Sequence, residues 1–352
     1  MDKQKSFDDD FEDKIMALDY DSLAHIFMWL PVSERIVMEN VCHKWKQACQ
    51  RSWYDIKEYN CGVSIDDDEK ILLRCGVYIR ELTLTEVCDS SILSIVGERC
   101  KNLTKLEFVF DETSRKLKDL KIKVQSGARA IIILTELENL ECLELNYQEL
   151  TKEAIIAISN NCKKLKHLEI PYCQIKSCPF SLDHLSKLQY LEYLDLSGIK
   201  ILQDSTIILI ADECKHLKYL KIKGSNQLTE VGFEALTSFE NLQKLSINRN
   251  TAITNNFVEK FKGLRVLNCR GCINLSDAGI IQVIKNCPDL ERLDLCDMDK
   301  ITLDTIIAAD LATKNRINDI VLHIHISNWT LHKNSESIIE SQWLLTRFFS
   351  TS

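Results

Sequence analysis

The feature that most constrains the fold is a pair of apolar residues, separated by one residue, that recurs about every 26 residues. Most pairs follow a leucine three positions earlier, so the pattern reads L-x-x-L-x-L. The pairs are Leu82/Leu84, Leu106/Phe108, Leu143/Leu145, Leu168/Ile170, Leu194/Leu196, Leu220/Ile222, Leu245/Ile247, Leu267/Cys269, Leu293/Leu295 and Ile320/Leu322. The longest interval, between Leu106 and Leu143, contains a degenerate copy at 117–123, so the number of repeating units is ten or eleven.

Each unit is expected to contain one short strand and one helical return segment. Side chains alternate across a strand, so Leu194 and Leu196 are expected to point inward and Asp195 outward. Return segments such as 275–287 have apolar residues at helical spacing, and Ser276 stands where an N-cap is needed. No unit can bury its apolar side alone, which predicts a solenoid of stacked units.

Cysteine recurs at fixed places in the unit. Cysteines end the return segments at Cys100, Cys162, Cys214 and Cys287, and follow strands at Cys173 and Cys272. Recurrence at one structural position indicates that these thiols fill space as small buried side chains. Cys269-Arg-Gly-Cys272 is the only C-x-x-C sequence, and both cysteines occupy repeat positions, so we expect neither a zinc nor a redox site there.

The complete pattern, C-x-x-L-x-x-L-x-L-x-x-C, resembles the cysteine-containing class of leucine-rich repeat over about residues 65 to 325. The resemblance implies an α/β fold in which a curved solenoid of about ten turns has its strands on the concave side and its helices on the convex side. The concave face is the usual binding surface of such solenoids.

Composition limits the possible functions. The net charge of −8 argues against a general nucleic-acid binder, and no apolar run approaches the length of a membrane helix. Fifteen cysteines without an export signal indicate free thiols in a reducing compartment, so we expect a cytoplasmic or nuclear protein. The sequence contains no nucleophile, phosphate-loop, dinucleotide or zinc-protease motif, so we expect no catalytic residue, metal or cofactor.

The N-terminal part has a different pattern. Residues 1–14 are acidic and are expected to be disordered, whereas Leu23, Ile26, Phe27 and Leu30 have the spacing of one helical face. Pro31 is expected to end this helix and Ser33 to cap the next, which should direct Ile36 and Val37 inward. Val41, Cys42 and Trp45 form a third apolar group.

This stretch resembles an F-box. The matching residues are Leu18, Asp21, Leu23, Ile26, Phe27, Leu30, Pro31, Val41, Cys42 and Trp45. Asp19 departs from the family pattern, which has proline there. The predicted organisation is therefore an F-box at 15–52, repeats at 53–325 whose degenerate first helix ends at Cys75, and a C-terminal cap or tail at 326–352.

An F-box directly before leucine-rich repeats resembles the F-box/leucine-rich-repeat family. The resemblance implies a non-catalytic substrate receptor of an SCF (cullin–RING) ubiquitin ligase, in which the F-box binds a Skp-type adaptor joined to the cullin. The expected F-box fold and adaptor-binding residues are Leu18, Leu23, Ile26, Phe27, Leu30, Pro31, Val41, Cys42 and Trp45. The alternatives are a repeat scaffold that acts without ubiquitin transfer and a helical cap for the solenoid.

Outward strand residues change sign along the chain. Acidic residues occupy the early units, at Glu107, Glu144, Glu169 and Asp195, and basic residues cluster in later units. The predicted substrate-binding residues are Tyr193, Tyr219, Lys221, Lys223, Lys244, Arg249 and Arg270. Tyrosine and arginine are favoured at binding hot spots, and basic residues suit an acidic or phosphorylated protein segment. The alternative is a solvated sheet face with no binding role.

The C-terminal residues 327–350 depart from the repeat pattern. Their apolar side chains, Ile338, Ile339, Trp343, Leu344 and Phe348, can cover the open end of the solenoid. The alternative is a tail that returns along the concave face.

Overall fold

In a computed structural model, the described residues are 15–62, 65–85, 90–109, 137–145, 149–176 and 179–350. They belong to two compact units. The first contains residues up to 119 together with 132–140, and the second contains 120–131 and 141–352. The acidic N-terminus and the degenerate repeat at 117–123 lie outside the described residues.

Three helices open the first unit: α1 (Tyr20–Met28), α2 (Val32–Met38) and α3 (His43–Ser52). Asp19, where the F-box pattern has proline, caps α1, and its Oδ1 accepts hydrogen bonds from the backbone N–H groups of Asp21 and Ser22 at 2.9 and 2.8 Å. The N-cap of α2 is Pro31 and not Ser33, so that prediction is wrong. Proline's fixed φ and missing N–H suit the start of a helix.

A small apolar core joins α1 to α3. Leu23, Phe27, Ala48 and Cys49 form its buried centre. The rings of Phe27 and Trp45 lie 5.3 Å apart between centroids. Leu23 and Phe27 of the predicted apolar face therefore pack against α3, whereas Ile26 is exposed.

Arg35 is a buried cation that ties these helices together. Only 2% of the residue is exposed. Its Nη2 donates to the Met28 carbonyl at 2.8 Å and its Nη1 to the Ser52 carbonyl at 2.9 Å, while both nitrogens bind the Asp55 carboxylate. A buried arginine is stable only with such complete pairing, so the guanidinium fixes the ends of α1 and α3 around α2.

Glu39 links the helical segment to the first repeat. Its carboxylate accepts hydrogen bonds from Trp53 Nε1 at 3.0 Å and from Arg74 Nε at 2.8 Å. Arg74 lies in α4 (Ile65–Cys75), which ends at Cys75 as predicted. The junction inside the first unit is therefore a hydrogen-bonded contact between side chains and not an open linker.

The described strands of the first unit are parallel. They are β1 (Glu58–Cys61), β2 (Glu81–Thr85) and β3 (Lys105–Val109), with α4 and α5 (Ser90–Arg99) as return segments. The register pairs Leu82 with Leu106, which places equivalent leucines side by side.

The second unit repeats this arrangement. Its main sheet is parallel and contains β4 (Cys142–Leu145), β6 (His167–Glu169), β8 (Tyr193–Asp195), β9 (Tyr219–Lys221), β10 (Lys244–Ser246), β11 (Val266–Asn268), β12 (Arg292–Asp294), β13 (Leu322–Ile326) and β14 (Leu344–Phe348). Two short strands, β5 (Glu149–Thr151) and β7 (Gln174–Lys176), pair separately. The sheet register aligns Leu143, Leu168, Leu194, Leu220, Leu245, Leu267 and Leu293. The predicted leucine ladder is confirmed over these turns.

Helical return segments alternate with these strands. The α-helices are α6 (Lys152–Asn161), α7 (Asp204–Glu213), α8 (Glu230–Ala235), α9 (Asn255–Val258), α10 (Asp277–Asn286), α11 (Leu303–Thr313) and α12 (Trp329–Glu336), and 3-10 helices lie at Pro179–Lys187 and Leu236–Ser238. No helix in the described part of the chain is long and apolar enough to cross a bilayer.

Side chains at the helix starts connect neighbouring turns. The Asp204 carboxylate accepts hydrogen bonds from the Thr229 backbone N–H at 2.9 Å and hydroxyl at 2.5 Å, and Asp277 binds Thr302 in the same way. Gly232 permits this approach, because a Cβ there would lie 2.2 Å from Asp204 Oδ1. Each such threonine therefore caps its own helix and ties it to the preceding turn.

The last predicted strand pair is displaced. The sheet aligns Leu293 with Ile324, so the inward pair is Ile324/Ile326 and not Ile320/Leu322. Arg316 Nη1 donates to the Ile320 carbonyl at 2.9 Å, and this bond holds Ile320 in the connection before the strand. His325, between these two isoleucines, consequently pairs with Asp294 on the outward face, in place of the residue between Ile320 and Leu322.

The C-terminal residues continue the stack instead of leaving it. Helix α12 is followed by β14, which pairs in parallel with β13. Leu344 is buried, whereas Phe348 remains partly exposed. The tail therefore forms a further turn at the end of the sheet, and the described residues do not return along the outward face. This turn was not predicted from the sequence, because residues 344–348 lack the alternating leucine pattern.

Truncating an inward leucine is predicted to destabilise the second unit. Leu220 is fully buried, so Leu220→Ala removes apolar contacts and leaves a cavity, lowering the free energy of unfolding by about 2–5 kcal/mol. Leu311→Ala is the matched control, because Leu311 is 64% exposed and its truncation should change stability by less than about 0.5 kcal/mol. Denaturant unfolding followed by circular dichroism compares the two; equal losses would contradict the assigned register.

Candidate protein-interaction surfaces

The N-terminal helices expose several large apolar side chains. Trp29, immediately after α1, is 89% exposed, and Ile26, one turn earlier, is 48% exposed. Val41 is 56% exposed, and Met16 and Val37 are exposed as well. Val37 was expected to point inward, so that prediction is wrong. Exposed apolar side chains concentrated on one small segment are typical of a protein-binding surface.

The structure separates the predicted F-box residues into two groups. Leu23 and Phe27 are buried in the helical core, and Leu18, Leu30 and Trp45 pack against it. Ile26, Pro31 and Val41 are exposed, and Cys42 is half-buried. Helical spacing shows which residues share an apolar face but not which of them lie at its exposed edge. The sequence therefore could not predict which of these residues are buried. Trp29 was missed, although a tryptophan three residues after Ile26 is a usable signal.

Outward side chains of the second unit form two rows across the main sheet. The first row contains Cys142, His167, Tyr193, Tyr219, Lys244, Val266, Arg292 and His323. The second contains Glu144, Glu169, Asp195, Lys221, Ser246, Asn268, Asp294 and His325. The parallel register brings residues that are far apart in sequence into one surface.

Four of the predicted substrate-binding residues lie together. The rings of Tyr193 and Tyr219 meet edge to face with centroids 4.6 Å apart. Lys221 Nζ lies 5.1 and 5.3 Å from these two ring centroids, and Lys244 Nζ lies 5.7 Å from that of Tyr219. We call Tyr193, Tyr219, Lys221 and Lys244 the tyrosine–lysine cluster. Its cation–π contacts hold flat apolar rings and positive charge at one place.

Carboxylates border this cluster. Asp195 lies 3.3 Å from Lys221 Nζ. Glu169 binds His167 and the Tyr193 hydroxyl, and the hydrogen bond from His167 is the main reason that the pKa of Glu169 is lowered. Burial, and then the bond to Glu169, raises the pKa of Tyr193. Tyr193 is therefore held as a neutral hydrogen-bond donor.

The other predicted basic residues lie apart from the cluster. Lys223 Nζ is 5.9 Å from the Tyr172 ring centroid. Arg270 Nε lies 3.0 Å from Asp297 Oδ2. Arg249 has a φ of 55°, the left-handed conformation that Gly198 and Gly224 adopt at the equivalent place in other turns. Because Lys221 and Arg270 are ion-paired, the predicted acidic and basic halves are less segregated than the sequence indicates.

A cleft of about 450 Å³ opens beside the tyrosine–lysine cluster. Its walls include Tyr219, Lys244, Arg292, His323 and the 319–321 segment. Burial, followed by the nearby Arg347 and Arg292, lowers the pKa of His323, so the imidazole stays neutral at pH 7. Within the described residues, Lys244 and Arg292 form no ion pair with a carboxylate, which leaves two positive charges for a binding partner.

The recurrent cysteines are buried and unreactive in character. Cys100, Cys162 and Cys214 are fully buried, and burial raises the pKa of each thiol to about 12. Cys269 is buried too, and burial raises its pKa well above the usual range. A nucleophile or metal ligand needs accessible thiolate, and these residues supply little. Their predicted packing role agrees with this environment.

Native alkylation should distinguish these thiols from a more accessible one. At pH 8, iodoacetamide is predicted to label half-buried Cys42 well before Cys214, because Cys214 is fully buried as a neutral thiol. Peptide mass spectrometry with and without denaturant measures the difference. Rapid labelling of Cys214 in the folded chain would contradict the packing assignment.

Comparisons with known proteins identify a family match in the N-terminal segment and several relatives of the chain. The F-box domain family matches residues 15–57. Antagonist of mitotic exit network protein 1 of Candida glabrata is 29% identical over 148 residues, which cover 40% of this chain and 28% of that protein. F-box/LRR-repeat protein 12 of Mus musculus is 23% identical over 225 residues, covering 57% of this chain and 69% of that protein.

The share covered differs widely between these relatives, and the chain spans only about a quarter of the first one's length. Among solved structures, the complex of Rad7 and Elc1 in yeast aligns over 90% of this chain and 92% of that chain, with 13% identity and a TM-score of 0.41. The F-box match, the repeated parallel strands and the relative named for both parts are consistent with the F-box/leucine-rich-repeat family.

Proposed function

We propose that this chain is the substrate-recognition subunit of an SCF-type cullin–RING ubiquitin ligase. Its F-box would bind a Skp-type adaptor joined to the cullin, and its repeats would bind the protein substrate. The observation that carries the proposal is an F-box match at residues 15–57, a segment in which Ile26, Trp29 and Val41 are exposed to solvent. Within such an assembly we expect a cytoplasmic or nuclear location.

The adaptor contact is assigned to the exposed apolar residues of the helical segment. Ile26, Trp29, Pro31, Val37 and Val41 are available to a second chain, whereas Leu23 and Phe27 support them from the core. Arg35 contributes indirectly, because its buried hydrogen bonds fix the ends of the helices that present this surface. Large apolar residues on a rigid support are typical of binding hot spots.

The substrate contact is assigned to the outward face of the second unit. The tyrosine–lysine cluster supplies aromatic surface, and Lys244 and Arg292 border the adjacent cleft. Charge-assisted hydrogen bonds from lysine and arginine favour carboxylate or phosphate groups, so an acidic or phosphorylated segment is the proposed ligand. The receptor itself performs no bond chemistry; it raises the effective concentration of substrate lysines at the ligase.

Charged substitution of the exposed F-box residues is predicted to weaken adaptor binding. Ile26→Asp with Trp29→Asp should cost at least about 2 kcal/mol, roughly 30-fold in Kd, because both side chains would otherwise be buried by the adaptor. Calorimetry or surface plasmon resonance with purified Skp-type adaptor gives the affinity. Trp329→Asp is the matched control, since Trp329 is also exposed but belongs to the second unit; unchanged binding of the double variant would contradict the assignment.

Co-purification separates the ligase from a repeat scaffold. Chain expressed with adaptor and cullin should recover both partners if it is a ligase receptor. Adaptor without cullin would favour a scaffold that acts without ubiquitin transfer. Recovery of neither partner would contradict both readings of the F-box.

Charge reversal on the outward face is predicted to impair substrate turnover. Proteins that accumulate when the chain is lost should be degraded again when wild-type chain is restored. The Lys244→Glu and Arg292→Glu double variant should fail to restore their degradation, because repulsion of an acidic ligand lowers affinity about tenfold or more. Lys285→Glu, at an exposed position on α10, is the control. Full rescue by the double variant would refute the proposed face.

A further inference from the structure

Four potential metal ligands lie at adjacent places on two neighbouring strands of the second unit. β4 presents Cys142 and Glu144, and β6 presents His167 and Glu169. Residues two apart on a strand point to the same face, and the register pairs Cys142 with His167 and Glu144 with Glu169. One ligand atom each from Cys142, Glu144 and His167 lies within 4.8 Å of the others. This group could not be predicted from the sequence, because the ligands on β4 and those on β6 are 25 residues apart and neither pair is a metal motif.

The side chains are already oriented by one another. Cys142 Sγ lies 3.6 Å from Glu144 Oε1, and His167 Nε2 lies 3.1 Å from Glu169 Oε1. The Tyr193 ring stacks on the imidazole at 3.9 Å between centroids. A histidine whose one nitrogen binds a carboxylate while the other binds the metal is the usual arrangement at zinc sites. Glu169 therefore orients the His167 imidazole beside Cys142 and Glu144.

We propose that Cys142, Glu144 and His167 bind one zinc ion on the outward face of the second unit, with Glu169 orienting His167. A thiolate, a carboxylate and an imidazole form a mixed sulfur, oxygen and nitrogen ligand set that zinc accepts. On binding, the Cys142 S–H bond breaks, the sulfur binds zinc, and the proton passes to solvent. The two carboxylates and the thiolate offset the charge of the ion.

Three protein ligands leave one position of a tetrahedral site open. Since His167 stacks directly against Tyr193 of the tyrosine–lysine cluster, the zinc site adjoins the proposed substrate surface. The inference rests on the geometry of β4 and β6 alone and does not require the ligase function. Lys221 lies on the same outward face, and its Nζ is paired with Asp195 Oδ2 at 3.3 Å.

Cobalt binding tests the site, because Co²⁺ accepts the same ligands and its thiolate complexes absorb light. Full-length chain freed of metal with a chelator is titrated with Co²⁺ at neutral pH under reducing conditions. We expect a thiolate-to-cobalt charge-transfer band that saturates at one equivalent and disappears when Zn²⁺ is added. Absence of this band from the wild-type chain would overturn the proposal.

Variants identify the ligands. Cys142→Ser should abolish the band, His167→Gln should weaken Co²⁺ affinity at least about tenfold, and Glu169→Gln should weaken it by roughly 10–100-fold as an orienting residue. Cys42→Ser is the matched control, since Cys42 is another half-buried thiol and should leave the band unchanged. A band that survives in both Cys142→Ser and His167→Gln would overturn the assignment. Circular dichroism checks that each variant is folded. If Cys142→Ser does not fold, the Co²⁺ affinity of His167→Gln tests the ligand assignment.

Discussion

The stacking of one turn on the next is the constraint on which the second unit depends. Leu168, Leu194 and Leu220 are fully buried only because a neighbouring turn covers each of them. The same stacking aligns the strands. At the helix starts, Asp204 and Asp277 also join adjacent turns, because each binds a threonine of the following turn. Once inward leucines fix the register, the direction of every outward side chain follows.

Much of this architecture could be predicted because burial leaves a periodic pattern in sequence. The leucine pairs from Leu143 to Leu293 align in the sheet as predicted. The prediction failed at the end of the chain, where Ile320/Leu322 satisfies the alternation as well as Ile324/Ile326 does. The pairing with β12, which is a tertiary contact, and the local bond from Arg316 to the Ile320 carbonyl distinguish them.

Side-chain partners were harder to predict than backbone positions. Spacing identified the apolar face of α1 but not that Leu23 is interior while Ile26 is exposed. The buried position of Arg35 could not be predicted, because arginine is usually exposed and its partners Ser52 and Asp55 are distant in sequence. The outward face of the second unit shows the same limit: its charges are in the sequence, but Arg270 pairs with Asp297, which is 27 residues away.

In the proposed function, two parts of the chain bind two different partners. The exposed apolar residues of the F-box suit binding to the Skp-type adaptor. The aromatic and cationic residues on the repeat strands suit binding to a protein substrate. Hydrogen–deuterium exchange of the chain with and without purified Skp-type adaptor tests this division most directly. We expect new protection in α1 and α2 and unchanged exchange in β8–β12. Protection of those strands, with α1 and α2 unaffected, would contradict it.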